Sequence, residues 1–268
     1  MIVNEIESKS ILTESKLPET DFCINPYVGC SHRCVYCYAR FMKRFTSHTE
    51  PWGEFVDIKI NSVELIRKRL KLIKNRKGVV LLGSVTDAYQ PLERKYEITR
   101  GLLKELLHSE LSVSILTKSD LVIRDIDILK QFKNITVGIT ITSLDEKVCS
   151  VLESGASSVE RRLEALKKLH ESGIYTYVFV GPIIPGITDL RAIFDSVQGK
   201  TDEIWGEILN IKSGNWEDVK AAFEKNFIDA LPQLLKNVRD KKYWDDVEEE
   251  FKTLCSEYGI PMVGFYRH

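Results

Sequence analysis

The chain has 268 residues, a length that suits one (β/α) barrel with a small appendage. Its 38 basic and 39 acidic side chains give a formal net charge of −1, which excludes a polybasic protein held on a polyanion by its overall field. Hydrophobic residues make up 43% and charged residues 29%, so we expect a sizeable core rather than intrinsic disorder. Apolar runs are too short to cross a bilayer, and residues 1–14 lack the apolar core of a signal peptide. These features predict a cytoplasmic protein without a membrane partner.

Short β-branched segments that alternate with helical patterns predict an α/β protein with a parallel sheet. The predicted strands cover residues 22–25, 78–83, 112–116, 135–141, 175–180 and 203–209. Between them, apolar residues at helical spacing from Val63 to Ile73 predict one helix, and the capping box formed by Ser157 and Glu160 predicts the start of another. Six such strands fit a partial (β/α)6 barrel or an open doubly wound sheet, and both folds place active groups at the strand C-termini.

The pattern changes near residue 214 to amphipathic helices, which end in the apolar segment 260–265. We therefore divide the chain into a barrel with an N-terminal cysteine loop, residues 1–213, and a C-terminal helical extension, residues 214–268, packed on the barrel.

Three of the six cysteines, Cys30, Cys34 and Cys37, lie in one short segment with the spacing C-x3-C-x2-C. This clustering is typical of metal ligands and not of a disulfide framework spread over a secreted domain. Three thiolates can bind three irons of a cubane, which leaves the fourth iron open for an exogenous ligand. A zinc site would need a fourth ligand, which Cys23 or His32 could supply, but no pair of Cys-x-x-Cys knuckles is present. An open iron favours catalysis over electron storage.

With the aromatic residue Tyr36 before the third cysteine, this motif resembles that of the radical S-adenosylmethionine (radical SAM) superfamily. Further segments resemble the branch that contains spore photoproduct lyase and the DNA repair photolyase-like proteins: residues 25–27, 38–39, 83–93, 116–119 and 182–186. The resemblance covers about residues 20 to 210. It implies a partial (β/α)6 barrel of the TIM type, a 4Fe-4S cluster bound by the three cysteines, and S-adenosylmethionine (SAM) at the open iron.

The resemblance also implies roles for residues at the predicted strand ends. The candidates for contact with the methionyl end of SAM are Gly83, Ser84 and Lys118, with Arg162 as a weaker candidate. Ser143 is the candidate for the ribose. Tyr36 and Pro182 are the candidates for the adenine. A solvated lysine in a turn and an exposed helical arginine are the alternatives for Lys118 and Arg162. Tyr38 is the candidate catalytic residue, because a phenol can donate hydrogen and can also stack.

Two basic clusters are candidates for contact with nucleic acid. The one at residues 67–77 lies late in the first predicted helix, at the barrel end opposite the mouth, which favours a solvated helix face. The other, at residues 40–45, interleaves Arg and Lys with Phe just after the cysteine loop, where it could hold phosphates and bases or simply begin an amphipathic helix. Glu207 and Asn210 end the sixth predicted strand and face the mouth, where they contact substrate or hold the mouth together.

These features predict a radical SAM enzyme, a lyase or another radical-dependent modification enzyme. Reductive cleavage of SAM gives a 5′-deoxyadenosyl radical, which abstracts hydrogen from the substrate. The resemblance implies a nucleic acid lesion or modified base as substrate and a reducing donor such as flavodoxin or ferredoxin. The alternatives are the same chemistry on a peptide, a protein or a small metabolite, and, without catalysis, an iron-sulfur electron carrier or a zinc-binding module.

Spore photoproduct lyase also uses a cysteine as hydrogen donor, which aligns approximately with Gly83 and Ser84 of this chain. No thiol is present at these two positions. Cys149 is a weak substitute, since it is placed beyond the fourth predicted strand. The resemblance therefore predicts slow or absent repair of spore photoproduct and a different true substrate.

Overall fold

The computed structural model describes residues 1–268 and contains two β-sheets. The strands are β1 (Ile2–Ile6), β2 (Leu12–Glu14), β3 (Phe22–Ile24), β4 (Tyr27–Val28), β5 (Phe55–Lys59), β6 (Gly78–Leu82), β7 (Leu111–Thr117), β8 (Ile135–Thr140), β9 (Tyr175–Ile183), β10 (Glu203–Ile208) and β11 (Met262–Tyr266). A small sheet has the order β1-β5-β4, and the main sheet has the order β11-β10-β9-β8-β7-β6-β3-β2. Neighbouring strands of the main sheet are parallel from β3 to β11, and β2 is antiparallel at one edge.

Helices cover one face of the main sheet and form the C-terminal region. They are α1 (Ser62–Leu72), α2 (Glu93–Tyr96), α3 (Ile98–Leu106), α4 (Ile126–Leu129), α5 (Glu146–Leu152), α6 (Val159–Glu171), α7 (Leu190–Val197), α8 (Trp216–Asn226), α9 (Leu231–Asn237) and α10 (Lys241–Tyr258), with 3-10 helices at Tyr38–Phe45 and Asp120–Asp125. None of these helices combines the length and apolar character that a membrane span needs.

The predicted α/β class is confirmed, and all six predicted strands are present. Each observed strand begins and ends within three residues of its predicted bounds. Their side chains alternate: Val80, Ile115 and Ile139, for example, are fully buried against the helices, whereas the opposite face lines a cavity. The strands therefore carry one core face and one cavity face.

The cap of α6 differs from the predicted capping box. Ser158, not Ser157, is the N-cap, and its hydroxyl accepts a hydrogen bond from the Arg161 amide. The Ser157 hydroxyl is engaged elsewhere, because it donates to the carboxylate of Asp120 at 2.6 Å.

The C-terminal region contributes more than a packed tail. Residues 262–266 form β11, which pairs in parallel with β10 across a register shift between Ile204 and Trp205. Helix α10 packs on α7 and β10, and α8 packs on α5. The division of the chain at residue 213 stays a prediction, but the region beyond it adds an edge strand to the barrel sheet.

Candidate active site

The cysteine loop, which contains Cys30, Cys34 and Cys37, follows β4. Gly29 and the buried side chain of Gln90 hold its first residues in place. Gly29 has a φ of +88°, and a Cβ there would lie 2.3 Å from the carbonyl oxygen of Phe55, so only glycine fits. The Gln90 side chain is fully buried, and its Oε1 accepts hydrogen bonds from the amide and the hydroxyl of Ser31 at 2.9 and 3.1 Å. The segment 83–93 therefore supports the loop as well as ending β6.

Two further segments hold the loop from the other side. The Gly155 amide donates to the carbonyl of His32 at 2.9 Å, and a Cβ at position 155 would lie 1.9 Å from the Ser31 carbonyl oxygen. Asn215, just before α8, donates its side-chain amide to the Tyr36 carbonyl at 2.7 Å. Both contacts join residues distant in sequence, so the loop conformation depends on the complete fold.

His32 and Asp87 form a buried pair beside the loop. The Nδ1 atom of His32 lies 3.2 Å from Asp87 Oδ2, and Asp87 also accepts from the Thr117 hydroxyl and the Lys118 amide. Burial acts to raise the pKa of Asp87, but the charge and hydrogen bond of His32 outweigh it and lower that pKa to about 2. The other ring nitrogen of His32 is buried without a partner in the chain.

The chemistry of the loop fits an iron-sulfur cluster. Burial raises the pKa of the Cys30 thiol to about 12 and that of Cys34 well above its usual value, so ligation must displace protons. No three Cys, His, Asp or Glu side chains converge as one metal ion requires, whereas a cubane spreads three thiolates over three irons. Three clustered thiols and an unsatisfied ring nitrogen in one loop are compatible with that larger group.

The residues predicted for the methionyl end lie next to the two tyrosines of the loop. Gly83 has a φ of +87°, and a Cβ there would lie 2.8 Å from the Thr86 carbonyl oxygen. The Ser84 carbonyl accepts a hydrogen bond from the Tyr38 hydroxyl. The Lys118 ammonium lies 5.6 Å from the centre of the Tyr36 ring. Gly83, Ser84 and Lys118 thus end neighbouring strands beside the loop.

Lys118 has an electrostatic environment that keeps it charged. Burial acts to lower its pKa, but nearby Cys34 and Glu153 outweigh burial and raise the pKa. The Lys118 ammonium forms no ion pair within the chain, which leaves it free to pair with an added carboxylate.

Arg162 occupies a different place from the one predicted. It is 1% exposed, and its Nη2 lies 2.5 Å from Oε2 of the fully buried Glu153. Its remaining donors reach the carbonyls of Thr140 and Ser157 at 3.1 and 2.9 Å. Arg162 therefore pairs with a carboxylate of the protein, whereas the predicted partner was the carboxylate of SAM.

Glu153 is the functional residue that sequence reasoning missed. Its Oε1 accepts a hydrogen bond from the Tyr36 hydroxyl and lies 2.8 Å from the Thr142 hydroxyl. Through Glu153, Arg162 fixes the orientation of Tyr36 at the cysteine loop. A single glutamate after α5 offers no pattern by which this role could have been found.

Ser143 follows β8, and Pro182 lies near the end of β9. The buried Ser143 hydroxyl accepts from the Asp145 amide at 3.1 Å, which closes the turn into α5. Pro182 follows Gly181, whose carbonyl lies 2.9 Å from the Thr142 hydroxyl. Their assignment to ribose and adenine stays a prediction.

Most of the basic cluster at residues 40–45 is committed to the fold. Arg40 donates to the carboxylate of Asp218 at 2.6 Å and to three carbonyls, and Lys43 donates to the Thr49 carbonyl. Arg44 forms no ion pair; its guanidinium lies over the rings of Phe41 and Phe45. Only Arg44 and its aromatic neighbours remain available for an external phosphate or base.

A cavity of about 540 Å³ lies on the inner face of the main sheet. Tyr38 lines it, as do inward-facing residues of β6 to β11, among them Leu81, Leu116, Tyr177, Phe179, Glu203, Trp205, Glu207 and Tyr266. The predicted catalytic residue therefore lies between the cofactor candidate Ser84 and this cavity.

Comparison with known proteins decides the family. Residues 24–197 match the Radical SAM superfamily model. The chain belongs to the radical SAM superfamily. An uncharacterized protein of Methanocaldococcus jannaschii is 36% identical over 248 residues, 92% of each chain. A protein described as a radical SAM Nalpha-GlyT isomerase, from Pseudomonas phage M6, is 26% identical over 193 residues, covering 70% of this chain and 37% of that one.

Solved structures of radical SAM enzymes share the fold. Spore photoproduct lyase complexed with dinucleoside spore photoproduct has a TM-score of 0.72 at 14% identity, with 98% of this chain and 82% of that one covered. SuiB of Streptococcus suis bound to S-adenosylmethionine has a TM-score of 0.62, with 92% and 50% covered. The partial TIM barrel is confirmed, and the chain is a radical SAM enzyme whose cofactors are a 4Fe-4S cluster and SAM.

Proposed function

We propose that Cys30, Cys34 and Cys37 ligate the 4Fe-4S cluster of this enzyme. The proposal is supported by the position of the three cysteines in one loop and by the unpartnered ring nitrogen of His32 in that loop. Gly29, Gln90, Gly155 and Asn215 hold the loop in place. Lys118 contributes positive charge next to Cys34, which favours thiolate ligands in a buried site.

The methionyl end of SAM lies, in this proposal, against Gly83, Ser84 and Lys118. The free ammonium of Lys118 pairs with the carboxylate, and the left-handed backbone at Gly83 allows close approach. Tyr36, held by Glu153, supplies the flat surface for the adenine.

The reaction is hydrogen abstraction from a substrate in the cavity. A 4Fe-4S cluster held by Cys30, Cys34 and Cys37 would, once reduced, supply the electron for the reductive cleavage of SAM. Tyr38 contacts the substrate, because it lines the cavity and is anchored to the Ser84 carbonyl. Flavodoxin or ferredoxin as electron donor, and a location in the cytoplasm, stay predictions.

A nucleic acid lesion or modified base is the substrate class that we propose. The observation that carries it is the extent of the likeness to spore photoproduct lyase bound to its dinucleoside, which covers 98% of this chain. A peptide is the second candidate, favoured by the likeness to SuiB bound to its precursor peptide, with a TM-score of 0.57.

The test uses two matched triple variants of the full chain. After anaerobic reconstitution, the Cys30, Cys34 and Cys37→Ala variant should lack the iron, the sulfide and the brown colour of the parent. The control carries Cys23, Cys149 and Cys255→Ala and should retain all three. With dithionite and SAM, only the parent and the control should release 5′-deoxyadenosine. Equal iron and sulfide in both triple variants would show that other residues are the ligands.

A further inference from the structure

One wall of the cavity combines aromatic rings with carboxylates. Glu203, Trp205 and Glu207 alternate along β10 and therefore share its inner face. The Trp205 ring stacks on Tyr266, with centroids 5.6 Å apart and planes 18° apart, and Tyr266 lies nearly parallel to Phe179 at 6.5 Å. Aromatic rings on the adjacent strands β9, β10 and β11 thus form a stacked surface that suits a flat ligand.

Glycines on the same face keep the cavity open. A Cβ at Gly138 would lie 2.2 Å from the Tyr177 ring, and one at Gly181 would lie 2.2 Å from the Phe179 ring. Each ring lies over a position that has no side chain, whereas closed barrels fill this space with layers of branched side chains. The remaining volume, about 540 Å³, is that of a small-molecule site.

The two carboxylates differ in what they can offer a ligand. Both oxygens of Glu203 are taken, by the Trp205 indole at 3.0 Å and the Tyr175 hydroxyl at 2.8 Å. Glu207 has one oxygen 3.0 Å from His268 Nε2, and its other oxygen has no partner in the chain. The Glu207 side chain is 21% exposed, and Glu207 and Tyr38 line the same cavity.

We propose that this cavity binds a flat heteroaromatic ring that carries an exocyclic amino group. The ring stacks on the Trp205 surface, and its amino group donates to the free oxygen of Glu207 beside Tyr38. This inference rests on the proposed function and narrows its substrate to an amino-bearing nucleobase. Uracil, thymine and hypoxanthine carry a carbonyl oxygen where cytosine and adenine carry the amino group, and the partial negative charge of that oxygen is repelled by the carboxylate.

Nucleoside binding tests this without radical chemistry. Reconstituted protein is titrated calorimetrically, without reductant or SAM, with two pairs that differ in the amino group: cytidine and uridine, adenosine and inosine. The amino member of each pair should bind about tenfold more tightly, as a hydrogen bond to a charged group allows. Glu207→Ala should abolish the difference, Glu207→Gln should retain part of it, and Trp205→Leu should weaken all four nucleosides alike. Glu257→Ala, on the outer surface, is the control.

Equal affinities within both pairs, an undiminished preference in Glu207→Ala, or no binding of any of the four at millimolar concentration would overturn the inference. Melting temperatures of all variants identify a misfolded one, in which case Glu207→Gln decides. Failure of the proposed function is distinguishable, because it would appear as missing cluster or missing SAM cleavage in the unaltered chain.

Discussion

Replacing Glu153 by glutamine should strongly destabilise the protein, because Glu153 is the buried partner of Arg162. The change leaves Arg162, which is 1% exposed, without its counter-ion. Breaking a buried ion pair from one side costs about 3–5 kcal/mol, because the remaining charge stays desolvated. The matched exposed pair, Arg191 with Glu257, has side chains 56% and 48% exposed, and Glu257→Gln should leave the stability almost unchanged.

For a chain of this size, about 3–5 kcal/mol corresponds to a fall of roughly 10 °C in the melting temperature. Scanning calorimetry of reduced, cluster-free protein measures it without a contribution from cluster loss. Combining Glu153→Gln with Arg162→Met should recover part of the loss, because no unpaired charge remains. If the Glu153→Gln and Glu257→Gln variants had the same melting temperature, the backbone acceptors of Arg162 alone would satisfy its charge. That result would refute the reasoning.

The contribution of Glu153 to the free energy of unfolding depends on pH. Burial acts to raise the pKa of Glu153, but Arg162 and then Lys118 outweigh burial and lower it. A folded pKa below the unfolded value of about 4.3 means that the stabilisation is complete above that pH and is lost as the pH falls through the folded pKa. The difference in the free energy of unfolding between the parent and Glu153→Gln should therefore shrink below about pH 4.

Four further predictions concern the loop, the cofactor and the substrate. Gly155→Ala should lower the iron content after reconstitution, because its Cβ would collide with the backbone of the cysteine loop. The control is Gly173→Ala, whose Cβ would meet nothing within 4 Å. This control should lower stability by about 1 kcal/mol and retain iron. Lys118→Ala should weaken SAM binding by about tenfold with the cluster intact, and an unchanged dissociation constant would remove Lys118 from the site. Tyr38→Phe should retain the cluster and uncoupled SAM cleavage while reducing substrate turnover, and unchanged turnover would contradict its role. Efficient repair of spore photoproduct by the unaltered chain, undiminished in Cys149→Ala, would contradict the hydrogen-donor argument.

The sequence predicts the elements whose signal is local. A run such as residues 135–141 is β-branched except at Gly138, so β8 is recognised with an error of one residue. Strand β11 is missed because Pro261 and Gly264 interrupt the apolar segment, and its place beside β10 depends on the packing of α10. The three cysteines are found because their spacing alone carries the chemistry.

The supports of the site depend on contacts between distant segments and leave no local pattern. Arg162 reads as an ordinary helical arginine until Glu153 is placed beside it. The aromatic wall has a local trace, since Tyr177 and Phe179 alternate with β-branched residues, but that alternation equally fits a core strand. Only the strand order brings Trp205 and Tyr266 against them.

The two edges of the main sheet, β2 and β11, do not pair with each other. Residues 17–20, after β2, and residues 266–268, at the C-terminal end of β11 and beyond it, both line the cavity, so no strand pairing forms the wall at this seam. No ladder of backbone hydrogen bonds fixes the width there, in contrast to a closed barrel, whose strand number and shear set its diameter. Substitutions at these seven positions can therefore change the size of the cavity without disturbing the strands that carry the cofactor residues. The seam is thus the place where this fold can vary the size of its substrate.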